Sequence, residues 1–145
     1  MNATAFEITD RKRKDPVGPT DINRDFELRE SGQINAAEIL SNDNITLYAL
    51  DFEKRLAVFV DSASPAVLSQ APFYYQAQYE DTRRVITMDF AALIQLAQSV
   101  KVDDTKLILI HSVGRAGSTL ASQIFAQVDG VNLHRVSFPV QGPSR

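Results

Sequence analysis

Between Leu107 and Val128 the chain reads LILIHSVGRAGSTLASQIFAQV, and no other stretch restricts its fold so tightly. Leu107, Ile108, Leu109, Ile110 and Val113 are the apolar and β-branched positions of a short buried strand. Gly114-Arg115-Ala116-Gly117-Ser118-Thr119 then turns the chain. Leu120, Ile124 and Val128 recur at helical spacing, with Ala121 and Phe125 beside them, so a helix starts directly after the turn. A helix N-terminus leaves backbone N–H groups without intrahelical partners, and those groups point at whatever occupies the turn. Strand, glycine turn and helix start together make an anion-binding device.

The residues of the turn suit a phosphate-like guest. Gly114 and Gly117 can take positive φ and allow close approach to the backbone. Ser118 and Thr119 can cap the helix and donate hydroxyl hydrogen bonds. Arg115 supplies a permanent charge on a planar fork that matches phosphate or sulfate oxygens. Two nucleotide motifs do not fit. The triphosphate loop G-x-x-x-x-G-K-[ST] needs a Gly-Lys pair, and the chain has none. The dinucleotide fingerprint G-x-G-x-x-G fails because position 116 is Ala. A glycine turn can also be a plain tight connection in an α/β fold.

Gly114-Arg115-Ala116-Gly117-Ser118-Thr119-Leu120, entered from an apolar strand, resembles the 5′-phosphosulfate-binding loop of the sulfotransferase family. The resemblance runs from Leu107 to Pro139, less than a quarter of the chain. It implies a P-loop-type α/β fold and 3′-phosphoadenosine 5′-phosphosulfate (PAPS) as sulfuryl donor, with no metal. It sets Arg115 beside the donor's bridging oxygen as the candidate catalytic residue. Gly114, Arg115, Ala116, Gly117, Ser118 and Thr119 become the donor-binding set. Sulfuryl transfer leaves negative charge on a departing phosphate, and fixed donors aimed at that charge lower the barrier. Asp129-Gly130 stops the helix, and Val131 to Val136 reads as a second strand completing a βαβ unit. Ser137-Phe138-Pro139 follows where many family members carry Ser-Glu-Pro, without the acidic residue. The resemblance also implies that a full domain extends well beyond Arg145, so the expectation is an N-terminal portion, incomplete and inactive alone.

Composition bounds the rest. The chain has 145 residues, 44% hydrophobic, which is enough for a globular core. A net charge of −3 predicts no nucleic-acid partner and no attraction to anionic membrane. No cysteine is present, so disulfides and thiolate metal sites are excluded. The N-terminus lacks the apolar core of a secretory signal, and no apolar run approaches the ~18 residues of a membrane span, so a cytoplasmic location is expected.

The organisation expected is a polar tail over 1–32, an accessory α+β region over 33–104, and the start of the P-loop-type domain over 105–145. Arg11-Lys12-Arg13-Lys14 reads as part of a solvated tail. Ile34 to Leu40 suggests a short helix, and Ile45–Leu50 with Leu56–Val60 an antiparallel hairpin. Tyr75 and Tyr79 share a helical face, where packing is the simpler role and base stacking the alternative. Arg83 and Arg84 read as surface charge, and Val85–Met88 as a strand. Asp89 is placed to cap a helix over 90–99, with Leu93, Leu96, Ala97 and Val100 on its inner stripe. His111 and His134 lack acidic or thiol neighbours at metal-ligand spacing, and a structural role fits them better than catalysis.

Three functions stay open: a PAPS-dependent sulfotransferase acting on an unknown acceptor, another P-loop nucleotide- or phosphate-binding protein, and a non-catalytic interaction module or remnant. Self-association through an exposed sheet edge is a further expectation.

Overall fold

The computed structural model describes residues 1–14, 20–64, 68, 71, 73–101, 118–125 and 127–128. The chain divides into two units, one covering Met1–Val100 and the other Lys101–Val136.

The first unit is mixed α/β. It contains β1 (Asn2–Arg11), α1 (Ile22–Asp25), β2 (Phe26–Asn35), α2 (Ala37–Ser41), β3 (Ile45–Asp51), β4 (Leu56–Ser62), α3 (Tyr74–Asp81), β5 (Thr82–Asp89) and α4 (Phe90–Gln98). Among the described residues the strands form a five-stranded sheet in the order β2-β1-β5-β4-β3. Every neighbouring pair is antiparallel.

The central strands are apolar on both faces. Ala57 to Val60 in β4 and Val85 to Met88 in β5 are buried without a break, the pattern of strands covered on both sides. Ala57, Phe59, Ile86 and Met88 join one cluster, against which Ile39 of α2 and Phe90, Ala92, Leu93 and Leu96 of α4 pack. Val58, Val60 and Val85 join the other, with Phe26, Tyr48 and Tyr79. In β5, consecutive residues therefore serve opposite layers, as a period of two requires.

The β3–β4 hairpin forms where the sequence placed it. Its turn holds Arg55 at φ 56, a left-handed conformation that a side chain makes costly. The Arg55 carbonyl accepts the Phe90 N–H at 3.0 Å, which ties this turn to the start of α4. Asp89 caps α4 as expected, its side chain accepting from the Ala92 N–H at 2.7 Å. The inner stripe is rotated from the one expected. Ala92, Leu93 and Leu96 turn inward, while Ala97 and Val100 are exposed.

Three further expectations are corrected. The described residues of 1–32 are not a tail: they form β1, α1 and most of β2. Ala3 and Ala5 are buried between neighbouring strands, and Thr4, Phe6 and Ile8 alternate with them. Alanine and threonine carry that alternation with little hydrophobicity, so it is faint in the sequence. Ser31 has no partner in the β1–β2 register, and Gly32 beside it sits at φ 131, which only glycine adopts without strain. Ile34 belongs to β2, so the helix expected over 34–40 shrinks to Ala37–Ser41. Within the basic run, Arg11 belongs to β1 and Arg13 is drawn inward, while Arg11, Lys12 and Lys14 stay exposed.

In the second unit, α5 (Ser118–Phe125) is described. The strands expected over 107–113 and 131–136 lie outside the described residues, as do His111 and His134.

Two stability outcomes follow from the packing. Truncating the fully buried Ile86 to Ala costs about 2–5 kcal/mol of unfolding free energy. Asp89→Ala costs about 1 kcal/mol through the lost cap. Urea titration of both variants checks the order; equal losses would contradict the central place of β5.

Candidate functional site

The anion-loop residues fall at the edge of what is described. Gly114, Arg115, Ala116 and Gly117 lie outside the described residues. Ser118 and Thr119 are the first two residues of α5. The helix thus begins directly after Gly117 in the chain. A helix leaves its first four N–H groups without intrahelical partners and carries a positive dipole end there, which in α5 lies at Ser118. Leu120, Ile124 and Val128 are exposed.

Among the described residues a dense buried polar cluster lies in the first unit, and little in the chain's pattern announces it. Arg13 and Asp25 have side chains only 4% and 3% exposed, with Arg13 Nε 3.6 Å from Asp25 Oδ1. The Arg13 guanidinium also lies 5.4 Å from the ring centres of both Tyr75 and Tyr79, within cation–π range. The Tyr79 hydroxyl accepts the Arg13 N–H at 3.1 Å. Asp25 is held from the other side as well. Its Oδ2 accepts the Tyr48 hydroxyl at 2.6 Å and the Asp21 N–H at 2.9 Å.

Local structure explains this convergence. Tyr48 is the extra residue of a bulge in β3, since Leu47 pairs Phe59 and Ala49 pairs Val58. A bulge re-aims a side chain, and here Tyr48 joins the layer that contains Phe26 and Tyr79. Tyr75 and Tyr79 share a face of α3, and both rings lie against the Arg13 guanidinium. Burial pushes the Tyr48 phenol above its ordinary value of 10.0, and the hydrogen bond to Asp25 pushes it further.

The neighbours of Arg13 are engaged too. Arg11 donates to the carbonyls of Thr82 and, at 3.4 Å, Glu80. Lys12 lies 3.4 Å from Glu27. Arg84 is no simple surface charge: it pairs with Asp61 at 2.7 Å and with Glu38. Arg83 donates to the carbonyls of Ser62 and Ala63 at 3.3 and 3.0 Å. These arginines stitch strands and helices together.

One concavity of about 360 Å³ opens on the same layer. Phe6, Leu28, Leu56 and Val58 floor it, and Lys12 and Lys54 stand among its lining residues. Lys12 faces Glu27, and Lys54 donates to Asn23 Oδ1 at 2.8 Å, so both ammonium groups already have protein partners. Among the described residues no group of three or more His, Cys, Asp or Glu could hold a metal ion. No described helix is long and apolar enough to cross a membrane.

No family model, curated protein or solved structure matches the chain.

Two outcomes test the buried cluster. Asp25→Asn removes the carboxylate beside a buried guanidinium and costs about 3–5 kcal/mol, read by chemical denaturation. The raised Tyr48 value means that the unfolded state loses its phenolic proton first. Its contribution to stability is therefore complete below about pH 10 and falls as pH rises above that value. Tyr48→Phe makes this alkaline fall shallower in thermal unfolding scans between about pH 8 and 11. An unchanged slope would contradict the assignment.

Proposed function

We propose that the second unit binds the 5′-phosphosulfate of PAPS through Gly114-Arg115-Ala116-Gly117-Ser118-Thr119, as the start of a sulfotransferase-like P-loop element. The observation that carries this reading is the onset of α5 at Ser118, immediately after the glycine turn. A helix start there directs free backbone N–H groups toward an anion held in the turn.

The roles follow from the chemistry. The amides of the turn and the hydroxyls of Ser118 and Thr119 hold the 5′-phosphate. Arg115 sits beside the oxygen that bridges phosphorus and sulfur. When an acceptor hydroxyl or amine attacks sulfur, the bond from sulfur to that bridging oxygen breaks and the acceptor's proton passes to water. The departing phosphate takes the electron pair, and the guanidinium stabilises its charge. The acceptor is an alcohol or amine of unspecified identity. Guanidinium and amides suffice for this task, so binding needs no divalent cation.

Calorimetry with adenosine 3′,5′-bisphosphate in the presence of a chelator tests the proposal. Saturable binding is the expected result, weakened at least ~10-fold, or ~1.4 kcal/mol, by Arg115→Ala. Equal binding by the two proteins would overturn the role of Arg115. Binding of ATP that depends on magnesium would favour a different phosphate-binding protein.

A non-catalytic interaction module is the second reading. It draws on the exposure of Leu120, Ile124, Phe125 and Val128, four apolar residues in and just after one short helix. Failure of every nucleotide to bind would favour it.

A further inference from the structure

We propose that the concavity in the first unit binds a compact neutral alcohol or phenol, which seats its hydroxyl on Thr87 and its apolar body on Phe6, Leu28, Leu56 and Val58. Every described residue that lines the concavity belongs to the first unit, so this site is separate from the anion loop.

Strand alternation builds the floor. Phe6 in β1, Leu28 in β2, Leu56 and Val58 in β4 and Thr87 in β5 are presented on one face of the sheet. Four of them carry only hydrocarbon. Thr87 stands opposite Val58 in the β4–β5 register and brings a hydroxyl to this apolar floor. The residue is 9% exposed, yet its hydroxyl meets no hydrogen-bond partner among the described residues. A polar group so far buried ordinarily has one. Because Thr87 lines the concavity, that space offers the missing partner a place.

Water can fill the role only poorly. On a hydrocarbon floor it finds this one hydroxyl, where a well-held water makes about three hydrogen bonds. A ligand hydroxyl keeps the same bond while its body covers the apolar side chains. Exchange of such water for such a ligand is favourable.

The walls select an uncharged guest. Lys12 lies 3.4 Å from Glu27. Lys54 lies 4.0 Å from Asp51 and donates to Asn23 Oδ1 at 2.8 Å. Among the described lining residues each ammonium is therefore matched by a carboxylate. An ionised guest would have to break one of these pairs or give up hydration without compensation. A neutral guest does neither. The volume of about 360 Å³ lies at the small end of ligand sites. At ~30 Å³ per water it equals about twelve water molecules, which suits a guest of about eight to twelve non-hydrogen atoms. So small a guest binds with a Kd on the order of 1 mM.

Titration of p-cresol into the full chain, followed by amide chemical shifts, tests this. Saturable shifts are expected at Phe6, Leu28, Leu56 and Thr87, while the amides of α4, on the opposite face of the sheet, stay unmoved. Thr87→Val keeps the shape and removes the hydroxyl, and it should weaken p-cresol binding about 3–10-fold. Toluene, the same ring without the hydroxyl, should bind both proteins alike. Leu28→Trp fills the space from a half-buried position and should abolish binding, with the fold checked by circular dichroism. Absence of shifts at the four floor amides at about 10 mM p-cresol would overturn the proposal. Equal affinity of p-cresol for the wild type and Thr87→Val would do the same, as would tighter binding of the anion p-toluate than of p-cresol.

Discussion

The first unit depends on β5 being covered on both faces at once. Val85 and Thr87 face one layer and Ile86 and Met88 the other, while β1 and β4 hydrogen-bond to the two edges of the strand. A strand with no exposed face must be covered by helices on both sides. Accordingly α2 and α4 pack on one cluster, and Tyr79 of α3 belongs to the other. The N-terminal hairpin is not an ornament in this arrangement. Without β1, one edge of β5 would expose its backbone groups.

The Arg13–Asp25 pair ties the chain just past β1 to the end of α1. Two buried charges lose hydration that their mutual attraction only partly restores. The surrounding groups help to offset that loss: two tyrosine rings against the guanidinium, and a phenol and a backbone amide on the carboxylate. Every element that meets here, from the end of β1 to α1, β3 and α3, is fixed relative to the others.

Much of this was legible residue by residue. The β3–β4 hairpin announced itself through two β-branched runs, and α4 through Asp89 three residues before Ala92. β1 was hidden because its buried positions are alanines, whose burial is worth little per residue and whose pattern resembles a polar stretch. The basic run concealed Arg13, since consecutive charges look alike until the chain has folded and only one of them turns inward. Tyr48 could not be assigned because a bulge, invisible in the sequence, decides which layer it enters. At the candidate anion site, the start of a helix after Gly117 was readable from Ser118-Thr119 and the apolar spacing beyond. The guest was suggested by resemblance and charge, since glycine turns of this kind accept several tetrahedral anions.

The functional account rests on free amides at the start of α5 meeting such an anion. Hydrogen–deuterium exchange with and without adenosine 3′,5′-bisphosphate measures this at the atoms concerned. The account predicts slowed exchange in peptides spanning 114–120, with β1 and β5 unaffected. Exchange in 114–120 that stays the same at saturating bisphosphate would contradict it.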